Sequence, residues 1–97
     1  MEYIKFKTEI NNLITERQTF HPNDEYRIYS YWGKISNMLI TDETKTIKLL
    51  NESDKETIEW LSEIFEEISD KLNTEKILNT LNKLNSKFPD LKLNNFY

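Results

Sequence analysis

A chain of 97 residues with 37% hydrophobic and 12% aromatic content is long enough for one domain, which at this size buries only about 60–65% of the surface its unfolded chain exposes, too little material to enclose a deep catalytic cleft. Charged residues reach 31% with a net charge of −4, yet the apolar fraction supports a core, so a disordered chain is excluded. No cysteine occurs, which rules out disulfides, thiolate catalysis and thiolate zinc sites and suits a reducing cytoplasm.

One glycine and two prolines leave little of the turn chemistry that hairpins need, and apolar residues recur at helical spacing. The expectation is an all-α domain over residues 1–97, with about five helices in an antiparallel bundle or stacked helical hairpins. A first helix is predicted over residues 2–19, with Tyr3, Phe6, Ile10, Leu13, Ile14 and Arg17 on one side. "FHPND" ends it, because Pro22 cannot continue a helix, and Asn23 or Asp24 can cap the next. That second helix, residues 24–40, has a strand-like start in "EYRIYSY". A helical projection nevertheless gathers Ile28, Tyr29, Trp32, Ile35, Leu39 and Ile40 into a wide apolar arc opposite Ser30, Lys34 and Asn37. Such an arc suits a central helix. Gly33 within it costs about 1 kcal/mol relative to alanine, which the close approach of another helix could offset; a kink is the alternative.

A short helix over 42–51 is expected with Thr41 as its cap and Asp42 and Glu43 in the dipole-favoured first turn. Ser53 and Glu56 have the spacing of a capping box, opening a helix over 54–72. Asn73 or Thr74 then caps a helix over 74–87, with Ile77, Leu78, Leu81 and Leu84 as its seam, and Pro89 disfavours helix at Phe88. The short C-terminal tail offers Leu91, Leu93 and Phe96 for packing. No apolar run approaches the ~20 residues that span a bilayer, and the N-terminus lacks a leader pattern, so the chain is expected to be cytoplasmic.

The charge is unevenly spread. Between Thr41 and Glu75 there are eleven acidic residues against four lysines, a local anion that argues against nucleic acid as a direct ligand and suits a basic protein partner. On a continuous helix with Glu59 at 0°, the apolar residues Ile58, Leu61, Phe65, Ile68 and Leu72 fall at about 180–260°. Glu56, Glu59, Glu63, Glu66, Glu67 and Asp70 fall within about 80° of zero, one carboxylate stripe opposite the core. Like charges at these spacings destabilise a helix by about 0.2–0.5 kcal/mol per pair. A solvated face is the plain reading of the stripe; a surface built to meet cations is the functional one. Trp60, at about 100°, borders both faces and reads either as a core flank or as an interface anchor. Trp32 reads as core.

Catalysis and metal binding have little support. Glu59 with Glu63, or Glu63 with Glu66, has helical spacing for shared coordination, but helical di-metal sites add Glu-x-x-His motifs, and His21 is the only histidine. It lies in a predicted loop with no nucleophile to serve. With one glycine no phosphate-cradling loop can be built. The expectation is a protein that is not an enzyme, with no catalytic residues, no cofactor and no metal.

The segments "YWGKISNMLI", "WLSEIFEEISDKL" and "KFPDLKL", spanning Tyr31 to Leu93, resemble small helical immunity proteins encoded beside bacterial polymorphic toxins, including those of contact-dependent growth inhibition systems. The resemblance implies a cytoplasmic antidote that binds the C-terminal toxin domain of its cognate delivery protein, blocking the active site or substrate surface. Such toxins are often nucleases. The family supplies no catalytic residues to transfer. The acidic stripe fits the same expectation, since a nuclease presents a basic surface to its substrate; Glu56, Glu59, Trp60, Glu63, Glu66, Glu67 and Asp70 are the expected partner-binding residues. The alternatives are a structural or adaptor bundle acting through self-association, and an acidic mimic of nucleic acid.

Overall fold

Four of the six α-helix starts among the described residues are set by short polar side chains. In the structure, a computed structural model that describes residues 2–93, the helices are α1 (Tyr3–Gln18), α2 (Glu25–Thr41), α3 (Glu43–Glu52), α4 (Lys55–Leu61), α5 (Phe65–Leu72) and α6 (Glu75–Lys87). A 3-10 turn, Ser62–Ile64, joins α4 to α5, and a second, Pro89–Leu91, follows α6. The fold is all-α, with no strand among the described residues.

Each cap satisfies a backbone N–H that the helix itself leaves free. Asp24 accepts from Arg27 N–H at 3.3 Å, Asp42 from Lys45 at 3.0 Å, Asp54 from Thr57 at 2.9 Å and Thr74 from Ile77 at 3.2 Å. Two expected caps are displaced by one residue. Thr41 closes α2 instead of opening α3, its hydroxyl donating to the Asn37 carbonyl at 2.6 Å. Ser53 turns its hydroxyl back to the Leu49 carbonyl at 2.6 Å, leaving the cap of α4 to Asp54. In both cases a carboxylate next in sequence is the stronger acceptor for a free N–H. Asn73 ends α5 in the left-handed region, with φ 35°, a conformation asparagine tolerates.

The core is one cluster fed by every α-helix. Phe6, Ile10 and Ile14 come from α1, Tyr31, Ile35 and Leu39 from α2, Leu49 and Leu50 from α3, Ile58 and Leu61 from α4, Phe65 and Ile68 from α5, and Ile77, Leu81 and Leu84 from α6. Ile64 and Leu93 join from the connecting turn and the tail. Full burial of such side chains contributes about 1.5–3 kcal/mol each, so this cluster outweighs any single polar contact described below. Helix α2 is central, packing against α1, α3 and α5, while α3 and α5 both reach α6. Thr46 tightens the α2–α3 corner by donating to the Leu39 carbonyl at 2.6 Å. Glu52 ties the end of α3 to the start of α1, accepting from Lys7 at 2.9 Å and from the Tyr3 hydroxyl. Phe96 lies outside the described residues.

Helix α2 corrects the projection in two ways. Tyr31 is buried and Tyr29 is 60% exposed, because Tyr31 lies three residues after Ile28 and four before Ile35, completing the seam, whereas Tyr29 stands one step of 100° away from Ile28. Gly33 meets neither expectation. Helix α2 runs through it unbroken, and a Cβ there would meet nothing within 4 Å among the described residues.

Candidate functional site

The segment read as one helix over 54–72 is interrupted, and the interruption remakes the acidic stripe. Each residue of a 3-10 turn advances about 120° instead of 100°, so Ser62–Ile64 swings α5 by about 60° relative to α4. Glu63 moves from about 40° to about 80°, beside Trp60 at about 100°. Ile64 takes the bend, with φ −115° and ψ 8°. No proline or glycine marks the position; the bend accommodates the tertiary contacts of Glu63.

Those contacts take Glu63 out of the outward stripe. Its carboxylate receives Arg17 at both oxygens, Nη2 at 2.8 Å and Nε at 3.2 Å, and the Trp32 indole N–H at 2.8 Å. Arg17 comes from the last turn of α1, where a cation also suits the helix dipole. The Arg17 and Glu63 side chains are only 15% and 23% exposed, and the Arg17 guanidinium lies 5.4 Å from the centroid of the half-buried Trp60 ring. Tyr29 packs edge-on against Trp32 at 5.4 Å. Glu63, in the turn after α4, therefore joins Arg17 of α1 to Trp32 of α2, and Arg17 in turn lies over Trp60 of α4, a clasp across the three helices. The Tyr31 hydroxyl is buried without a hydrogen-bond partner among the described residues. Burial pushes its ionisation well above the usual range, with the Glu63 charge adding to the rise and Arg17 opposing it.

The other carboxylates remain at the surface in two groups, Glu56 and Glu59 on α4 and Glu66, Glu67 and Asp70 on α5. Glu67 accepts from the Ser36 hydroxyl of α2 at 2.9 Å, in keeping with the swing that carries it toward that helix. None of the five takes part in the ion pairs found among the described residues, which join Lys7 to Glu52, Arg17 to Glu63, Arg27 to Asp24, Lys45 to Asp42 and Lys55 to Asp90. Asp90 thus draws Lys55, the lysine at the start of α4, away from its acidic neighbours.

Among the described residues no three of His, Asp and Glu come together as metal ligands. His21 is exposed in the α1–α2 loop, its Nδ1 accepting from Asn23 N–H at 3.1 Å. No described helix is long and apolar enough to cross a membrane. Arg17 is the residue whose role was missed. Its place on the apolar side of α1 was visible, and a lone arginine on such a stripe signals a counter-charge from another helix. Comparison with protein-family models, curated proteins and solved structures gives no match.

Proposed function

We propose that this protein is an immunity protein: it binds the C-terminal domain of a cognate bacterial toxin, a basic nuclease, and blocks its active site or substrate surface in the cytoplasm of the producing cell. One observation carries the reading. Glu56, Glu59, Glu66 and Asp70 stand exposed on α4 and α5 with no ion-pair partner among the described residues; the helix dipole helps Glu56 and Glu66, in the first turns of α4 and α5, but no cation offsets the repulsion within the group. A basic partner supplies the missing cations, and a concentrated negative field speeds encounter with it. Glu67 belongs to the same surface, while the Glu63 carboxylate is engaged by Arg17, whose guanidinium also lies over Trp60.

The test is capture by the tagged protein from its source bacterium at moderate salt, with mass spectrometry of the retained chains and a nuclease assay of whatever is recovered. The expected result is an equimolar toxin domain whose nuclease activity the protein abolishes at one-to-one stoichiometry. Recovery of the protein alone from cells that express the toxin would overturn the proposal.

A further inference from the structure

The outer face of α2 presents Tyr26, Tyr29, Gly33 and Asn37, residues three or four apart and therefore on one side of the helix. Tyr26 is 84% exposed, and no described residue occupies the space beside Gly33. Between this face and α5 lies an open hollow of about 640 Å³, bordered by Tyr29, Gly33, Ile40, Lys34, Glu67 and Lys71. On the α1 side a second hollow, of about 430 Å³, sets Lys34 among Glu9 and Glu16. Each hollow carries both signs of charge. Neither Lys34 nor Lys71 enters an ion pair among the described residues.

We infer that this face is the contact surface for a second copy of the chain, with α2 crossing its counterpart at Gly33. The absent Cβ allows two helix backbones to approach closely, and Tyr26 and Tyr29, both N-terminal to Gly33 on this face, supply the apolar area such a contact needs. The charges select the occupant. A two-fold axis in the plane of the contact and perpendicular to α2 runs the paired helices antiparallel and sets α5 against α5. Glu67 and Lys71 are four residues apart on α5, so reversing one copy brings Lys71 of each toward Glu67 of the other, and Lys34 toward the acids of the opposing α1. A residue pair and its mirror are satisfied by one symmetry operation, as an isologous interface requires. A wholly basic partner would leave Lys34 and Lys71 facing like charge. This surface meets the proposed toxin face only at Glu67, which borders both, and leaves Glu56, Glu59 and Glu66 outside it; its test uses no toxin.

The experiment is sedimentation equilibrium of the untagged full chain over a concentration series, for the wild type and for Gly33→Arg, Glu67→Lys and the exchange Glu67→Lys with Lys71→Glu. The wild type is expected to pass from the 11.7 kDa monomer to twice that mass. Gly33→Arg, whose Cβ would meet no described residue within 4 Å, is expected to keep the fold by circular dichroism and thermal melting and to raise the dissociation constant at least ~tenfold. Glu67→Lys should weaken association and the exchange should restore it. A wild type that stays monomeric throughout overturns the inference, as does a Gly33→Arg protein that dimerises like the wild type.

Discussion

Replacing Glu63 by alanine tests whether this carboxylate belongs to the fold or to a free surface. The change removes a bidentate pair with Arg17 at 2.8 and 3.2 Å and the acceptor of the Trp32 indole N–H at 2.8 Å. Breaking a fully buried ion pair costs about 3–5 kcal/mol, and losing an exposed one about 0–1 kcal/mol. With side chains 15% and 23% exposed, this pair falls between those limits, and a loss of about 2–3 kcal/mol is expected. For a domain of this length that lowers the melting temperature by about 10–20 °C. Urea denaturation of Glu63→Ala, Arg17→Ala and the double variant should give a coupling energy of about 1–2 kcal/mol. Glu59→Ala and Glu66→Ala, which remove no internal partner, should stay within about 0.5 kcal/mol of the wild type. A Glu63→Ala protein that melts within about 2 °C of the wild type would refute the clasp.

Tyr31→Phe removes a buried hydroxyl that has no partner among the described residues, so it should leave stability unchanged or raise it by about 1 kcal/mol; a loss in urea denaturation would mean that the hydroxyl is satisfied in solution. Thr74→Ala removes the cap of α6 and the hydroxyl that donates to Glu43 of α3, and chemical denaturation should show a loss of about 1 kcal/mol. Acid should destabilise the fold through Asp42, held below its ordinary value by bonds from Lys45, Glu52 by the Tyr3 hydroxyl and then Lys7, and Asp90 by Lys55. Because the folded values are depressed, their stabilisation is complete above the ordinary values of 3.8 for Asp and 4.5 for Glu and is lost as pH falls below them. Thermal melts should therefore fall in temperature below about pH 4, and a melting temperature flat down to pH 2 would contradict the assignment.

Helix periodicity made the core legible, since a seam such as Phe6, Ile10 and Ile14 depends only on spacing. What stayed illegible arises between helices. The bend at Ser62–Ile64 carries no breaker residue and answers to partners on α1 and α2, many positions away in sequence. Tyr31 was within reach of spacing, since it completes the seam between Ile28 and Ile35; an arc wide enough to include Tyr29 does not show where its covered edge ends, which the neighbours of α2 set. Cap positions were uncertain by one residue because Ser53 and Asp54, or Thr41 and Asp42, are adjacent acceptors, and the choice rests on which side chain also bonds backward. The acidic surface was visible as composition, but its division required knowing that Glu63 has an internal cation.

The central claim, that the exposed carboxylates of α4 and α5 hold a basic toxin domain, is tested most directly by isothermal titration of the captured domain into the wild type and into Glu59→Lys with Glu66→Lys, at low and high salt. The account predicts that the double reversal weakens binding at least ~100-fold at low salt and that the gap narrows at high salt. Equal affinities for the two proteins at both salt concentrations would contradict it.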